Sequence, residues 1–356
     1  MKKTLKIAGI VLLALLLVVL AYVAYVFLSY HRIEDNLSLT PEGSASASVR
    51  TDTPYTVVSY NIGFGAYESD YSFFMDGGTE SWAWSEERLD ANLANIAQVL
   101  QKQNADFYFV QEVDAGSTRS YHRDESALLR QALPNFSSVW GQNYDSPFLF
   151  WPLTQPHGSS VSGLMTFSTA PISSSLRRSL PIEQGVMKLV DLDRCYTVSR
   201  VPMENGKELV LYAVHLSAYT SDGTIALDQM EMLLSDMQSE YEKGNYCVCG
   251  GDFNKDVLGN SEEVFGVSAG EYTWAQPLPE SLFQGKDLTL VPPLDKENPV
   301  ASCRNADAPY HDGQYLVTVD GFLVSNNVSV SAATVIDTGF AYSDHNPVSM
   351  TFTLLP

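Results

Sequence analysis

Positive charge is scarce in this sequence. Its 356 residues include 21 Lys and Arg against 42 Asp and Glu, a formal net charge of -21. Long nucleic acids are held largely through Lys and Arg contacts to phosphates, so bulk electrostatic capture of a polyanion is excluded and no stable nucleic-acid binding is expected. Cysteine is scarcer still, with 4 residues, too few for a disulfide scaffold in a chain of this length. There is no internal repeat and only one linker-like stretch. Apolar residues are plentiful: 45% of the chain is hydrophobic and 11% aromatic, which supplies a large core and excludes disorder.

The charge is uneven. Residues 1–30 carry Lys2, Lys3 and Lys6 and no acid, a net of +3, which leaves -24 for the rest. Ile7 to Leu28 is an apolar run of 22 residues. As a helix at about 1.5 Å per residue it crosses a hydrocarbon core of roughly 30 Å. Residues 1–6 read as a cytoplasmic N-terminus and 7–28 as a transmembrane anchor, with the remainder outside by the positive-inside rule. The expected localisation is therefore the cell membrane, single-pass, with an extracytoplasmic body. A cleaved signal peptide is the alternative; the run is long for one, and no good small-x-small site follows it. Residues 29–54, with Thr40-Pro41-Glu42-Gly43-Ser44-Ala45-Ser46-Ala47-Ser48, read as a flexible linker with nothing to bury.

Residues 55–356 read as one catalytic domain. Tyr55 to Tyr60 is a β-branched and aromatic run, as expected for a strand. Ser85 caps a helix along which Leu89, Leu93, Ile96 and Leu100 recur at helical spacing. Strands are expected at Phe107–Val110, Leu164–Phe167, Leu209–Val214, Cys247–Cys249, Val317–Val324 and Val348–Leu354, with helices near 124–133 and 224–242. Residues 255–313 read as long loops. The fold class is α/β, with two layered, mostly antiparallel sheets covered by helices.

Polar side chains sit at the C-terminal ends of several of these strands: Asn61, Glu112, His215, Asp252 with Asn254, Asp320 and the pair Asp344-His345. Strand ends can converge on one crevice from distant parts of a chain. Asn61, Glu112, Asp252, Asn254 and Asp344 are hard oxygen ligands, suited to Mg²⁺, Mn²⁺ or Ca²⁺ rather than zinc. His215 and His345 suit proton transfer or donation to a phosphate. Each has a plainer reading alone: Asn61 as a turn residue, Glu112 as a surface charge, His215 as a core histidine, Asp252 and Asn254 as an Asx-turn, residues 344–347 as a polar turn.

Taken in order, Ser59-Tyr60-Asn61, Gln111-Glu112, His215-Leu216, Gly251-Asp252-Phe253-Asn254, Val319-Asp320 and Ser343-Asp344-His345-Asn346-Pro347 resemble the motifs of the endonuclease/exonuclease/phosphatase superfamily from about Tyr55 to Leu355. The resemblance implies a four-layer α/β sandwich, two mostly antiparallel sheets packed face to face with helices outside. It implies a divalent metal, Mg²⁺ or Mn²⁺ with Ca²⁺ as a further candidate, held by Glu112 with Asn61 and flanked by Asp344. It implies that Asp252 and Asn254 orient water and phosphate, that Asp320 orients His345, and that His215 contacts the phosphate or acts as general acid. His345 and Asp252 both remain candidates for proton acceptor. Relatives often place a cation after the strand that here ends Phe167-Ser168-Thr169; Arg119, His122 and Arg304 are candidate substitutes for substrate binding.

The resulting expectation is a membrane-tethered, metal-dependent phosphoesterase for a small phosphoester or lipid head group. A nuclease and a catalytically silent surface module are the alternatives, and no protein partner is identifiable. His31, His157 and His311 read as surface residues. The cysteines read as buried small hydrophobes, with a bridge through Cys195 or Cys303 as the alternative. The aromatic stretch 67–84 reads as a lip over the site.

Overall fold

The computed structural model describes residues 2–183, 185, 188, 192–218, 224–268, 270 and 274–356. Its core follows from period-two alternation along the central strands. In Phe107–Asp114, Phe107 and Phe109 enter one apolar cluster while Tyr108 and Val110 enter another. In Glu208–His215, Leu209, Leu211 and Ala213 share that first cluster, and Val210, Tyr212 and Val214 belong to a third. The shared cluster lies between two sheets, and the other two lie beneath helices.

One seven-stranded sheet runs Leu37–Leu39, Ser174–Ser179, Cys195–Pro202, Glu208–His215, Tyr246–Asp252, Asp320–Ser325, Leu288–Val291. The other runs Val328–Val335, Val348–Leu354, Pro54–Asn61, Phe107–Asp114, Gly158–Ser168, Ser137–Leu149, Glu42–Gly43. Each sheet has one parallel pair, Glu208–His215 with Tyr246–Asp252 and Pro54–Asn61 with Phe107–Asp114; the remaining pairs are antiparallel. Helices Glu86–Gln103 and Glu125–Ala132 cover the second sheet through Leu89, Leu93, Ile96, Leu100 and Leu129. Helix Thr224–Glu242 covers the first through Met230, Leu233, Leu234 and Met237. This is the four-layer sandwich. The Ser85 hydroxyl caps its helix by accepting from Arg88 N, and Asn104 closes it at φ 47°.

The N-terminal helix, Lys2–Ser29, has no buried residue and is long and apolar enough to cross a membrane. The segment after it is not a free linker. Leu37–Leu39 and Glu42–Gly43 add an edge strand to each sheet, and Val49 is buried. Arg177, fully buried, donates to Glu34 O, and Arg32 pairs with Asp193 at 2.6 Å. Edge strands have free backbone groups, which is why so polar a stretch is held down.

The aromatic segment does not form the expected lip. Tyr67, Tyr71 and Phe73 are buried with Phe64 in the cluster beneath the second sheet's helices, so they are core rather than a lip. All four cysteines are buried free thiols, which removes the alternative of a bridge.

Candidate active site

The two parallel pairs and their antiparallel neighbour bring the polar strand ends together. Asn61 pairs with Gln111, and Asp252 lies opposite both His215 and Asp320. Close approach here depends on Gly251, where a Cβ would fall 1.9 Å from Val214 O. Glu112 interrupts its strand. It takes φ 56° where the pairing skips from Val110 to Val113, a bulge that re-aims its side chain.

Asn61 is the hub. Its Nδ2 donates to Glu112 Oε1 and Asp252 Oδ2, both at 3.1 Å, and lies 3.5 Å from His345 Nε2. Its Oδ1 accepts from Gly63 N, so the amide orientation is set. Asp320 Oδ2 meets His345 Nδ1 at 2.7 Å and accepts from the Ser302 hydroxyl at 2.7 Å. His215 Nε2 and His345 Nε2 stand 3.5 and 3.8 Å from Asp252 Oδ2. Asn254, at φ 49°, caps Asp252 through its backbone N–H and donates from its side chain to Leu216 O. Asp344 is near enough to raise the Glu112 pKa.

Burial and neighbouring charge set the protonation states. Burial pushes Asp252 up to about 7, with Asp320 adding to the shift and His345 opposing it. Burial opposes charge on His345, but Asp320, Cys303 and Asp344 prevail and hold it well above the usual histidine range. His215 lies well below that range through burial and the charges of Arg194 and His345. Burial raises Glu112, and Arg119 opposes this. The crevice thus pairs an imidazolium with a carboxyl poised near neutrality.

The donor set fits a hard divalent cation. Glu112, Asp252 and Asp344 offer carboxylate oxygens; Asn61, expected as a ligand, instead turns its Nδ2 donor between Glu112 and Asp252 and its oxygen to Gly63 N, so it orients the carboxylates. Asp320 Oδ1 is buried and has no hydrogen-bond partner among the described residues. Asp252, Asp320 and His345 also lie close enough to share an ion, although the 2.7 Å contact between Asp320 and His345 is already satisfied as an ion pair.

The structure does not bring all the expected residues together. Arg119 is buried and chelates Asp114 through Nε and Nη2 at 3.0 and 2.9 Å, with its guanidinium 3.9 Å above the Phe64 ring. Arg304 is buried and donates to the carbonyls of Tyr67, Glu68, Tyr71, Asn305 and Ala308. His122 is turned to Gly116 O at the surface. None of the three presents a cation to the crevice. Thr169 does not replace one either: Ser168 pairs with Phe107, at the opposite end of that strand from Glu112.

Sequence reasoning missed Ser302, which fixes Asp320 from a loop without periodicity, and Arg194, a buried cation whose charge reaches His215. It also misplaced His157. That ring is buried, hydrogen-bonded to Ser81 O at 3.0 Å and packed against Phe73 and Phe74.

Burial, with help from Arg119, lowers the His157 pKa to about 4. The unfolded chain takes up its proton near pH 6.5 and the folded chain only near 4, so stability present above 6.5 should drain away as pH falls between them. The expected loss is roughly 3 kcal/mol. Melting curves of wild type and His157→Gln from pH 7.5 to 4.5 should converge on acidification; a constant gap would show that His157 contributes nothing to acid sensitivity.

A profile described as the Endonuclease/Exonuclease/phosphatase family matches residues 58–345. No curated protein matches the chain by sequence. Among solved structures, an endonuclease/exonuclease/phosphatase from Beutenbergia cavernae superposes with TM-score 0.56 at 17% identity, covering 86% of this chain and 72% of its own. A family protein from Leptotrichia buccalis gives TM-score 0.56 at 13% identity, over 84% of this chain and all (100%) of its own. ANGEL2, a 2',3'-cyclic phosphatase in complex with adenosine-2',3'-vanadate, gives 0.56 at 16% identity over 89% and 98%. At these identities the likeness shows the fold.

Proposed function

The chain belongs to the Endonuclease/Exonuclease/phosphatase family, and from that premise we propose that it is a membrane-anchored, extracytoplasmic phosphoesterase using Mg²⁺ or Mn²⁺ on a small phosphoester or lipid head group. It is a hydrolase of phosphoester bonds by membership. The observation that supports the catalytic part of this reading is the contact of His345 with Asp320 at 2.7 Å, with Nε2 3.8 Å from Asp252 and 3.5 Å from Asn61. Anchoring is supported by the helix Lys2–Ser29 and sidedness by the lysines that precede its apolar run.

Glu112 and Asp344 would hold the cation, which when bound offsets charge developing on the phosphoryl oxygens, while Asn61, whose Nδ2 donates to Glu112 and Asp252, positions those carboxylates rather than ligating the ion itself. Asp252, raised toward neutrality, takes the proton of the attacking water. His345, kept positive by Asp320, donates to a non-bridging oxygen. His215, neutral, hydrogen-bonds the phosphate on the other side of Asp252. Asn254 keeps Asp252 in register.

The scarcity of cations favours small or membrane-borne esters over polymeric nucleic acid. The test is a substrate panel with the purified chain: plasmid DNA, RNA, bis(4-nitrophenyl) phosphate, inositol phosphates, sphingomyelin and phosphatidylcholine, each with and without metal. Hydrolysis of a small or lipid ester that exceeds that of DNA and RNA supports the reading. Preferential cleavage of plasmid or RNA, falling steeply with salt, would replace it with the nuclease reading.

A further inference from the structure

The hairpin joining Ser137–Leu149 to Gly158–Ser168 has an unusual tip. Phe150, Trp151 and Leu153 are 52%, 65% and 77% exposed, three large apolar side chains within four residues. A loop with no task would shed such groups to water only at a cost in solubility. This one is also braced rather than loose. The Ser81 hydroxyl donates to Gln155 O, Trp82 Nε1 donates to Pro156 O, and His157 bonds Ser81 O. The base of the tip is therefore tied to the buried aromatic segment while its apolar crown stays exposed.

The crown adjoins the N-terminal helix. Tyr22 donates to Phe148 O, Tyr25 OH accepts from Phe148 N, and the Tyr22 and Phe150 rings meet edge-on at 5.0 Å. Tyr22 and Tyr25 lie in the last two turns of the apolar run, about 9 and 5 Å short of Leu28 at ~1.5 Å per residue. Tyrosines at that depth mark the boundary between hydrocarbon and head groups. Just past the helix, His31 meets Asp145 at 3.0 Å and Arg32 meets Asp193, so the domain is clasped to the end of the anchor.

The tip also shares an end of the fold with the crevice. Gly163 pairs with Val113, beside Glu112, and the hairpin continues from there to the pair Gly158 and Leu149. At ~3.3 Å per residue it rises about 16 Å beyond the level of Glu112, on the crevice end of the sheet.

We propose that the Phe150-Trp151-Pro152-Leu153 tip is a second membrane contact that enters the head-group layer beside the anchor and turns the crevice toward the bilayer, so that the substrate is a lipid phosphoester of that leaflet. The substrate half rests on the phosphoesterase reading above; the contact does not. With so few cations in the body the contact is apolar, so it requires no anionic lipid and survives high salt. Hydrolysis breaks one P–O ester bond: the oxygen of water joins phosphorus, and a proton ends on the departing alkoxide.

The test uses the full chain in phosphatidylcholine nanodiscs. The fluorescence of Trp151, taken as the difference between wild type and Trp151→Phe, should be quenched by acyl-brominated lipid, equally in low salt and 1 M NaCl (roughly ten times the ionic strength at which the Debye length is 10 Å). Absence of quenching overturns the contact. The second measurement compares hydrolysis of phosphatidylcholine, phosphatidylglycerol or sphingomyelin in the discs with that of soluble bis(4-nitrophenyl) phosphate. In Phe150→Ser/Trp151→Ser/Leu153→Ser, the lipid-to-soluble ratio should fall about tenfold or more, the change that ~1.4 kcal/mol of lost contact produces. An unchanged ratio, or turnover of the soluble ester and none of the lipids, overturns the substrate assignment. A chain inert toward every phosphoester defeats the phosphoesterase reading, while the quenching still decides the contact.

Discussion

His345→Ala should hydrolyse a soluble phosphodiester about 10²–10³-fold more slowly than wild type, with the loss in kcat. The imidazole is held at 2.7 Å by Asp320, which is itself fixed by the Ser302 hydroxyl. Its other nitrogen faces Asp252 and Asn61 at 3.8 and 3.5 Å. Nothing else among these partners can donate a charged hydrogen bond to the phosphate. Asp320→Asn separates two roles for the ring. Loss of the carboxylate lowers the pKa of His345. If the imidazolium is the working form, the alkaline limb of the kcat profile moves to lower pH. If the neutral ring were the working base, the acid limb would move instead. The first outcome is expected, because Asp320 and Asp344 hold His345 well above the ordinary histidine range. A His345→Ala chain within threefold of wild type, well short of the roughly 10²-fold effect expected when a transition-state hydrogen-bond donor is removed, would remove the residue from the mechanism.

Arg119→Ala should destabilise the fold by about 3–5 kcal/mol without a selective effect on KM. The guanidinium and its partner Asp114 are 8% and 0% exposed. Asp114 also accepts from the Ser120 hydroxyl, and its backbone N–H donates to Glu125. Removing the arginine strands a carboxylate in the interior, with Glu125 already pushed well up by burial and by the Asp114 charge. For a domain of about 300 residues, at about 2.1 cal/mol/K of unfolding entropy per residue, the melting temperature should fall by roughly 5–8 °C. A phosphate-binding arginine would behave oppositely, with stability retained and KM raised roughly tenfold or more, as expected when a charge-assisted hydrogen bond is lost. That pattern would reverse the structural assignment.

The legible parts of this chain were those whose signals are local. The Ser85 cap and the spacing of Leu89, Leu93, Ile96 and Leu100 specify a helix within one segment. Asn61, Glu112, His215 and Asp252 each end a buried apolar run, so their strand-end placement was visible before their meeting was. Strands with polar or turn-forming residues were not legible. Ser137–Leu149 contains Gly141, Asn143, Asp145 and Pro147 and bends through two register shifts. Ser174–Ser179 reads Ser-Ser-Leu-Arg-Arg-Ser and is a strand because its neighbours pair with it on both sides. Arg119 shows the same limit at the site. Sequence places it near Glu112, but only the fold reveals Asp114 as the partner that takes up its charge. His157 looked solvated because nothing local announces Ser81, 76 residues away.

The most direct test of a metal-dependent phosphoester site is one titration. The purified chain is stripped with EDTA, and hydrolysis of bis(4-nitrophenyl) phosphate is followed as Mg²⁺ or Mn²⁺ is returned, for wild type and Glu112→Gln. The expected result is no turnover in chelator, full recovery with metal, and a half-saturating concentration at least about tenfold higher in Glu112→Gln, since a neutral amide replaces the carboxylate that the cation would contact. Full turnover in EDTA, or identical metal curves for the two proteins, would contradict it.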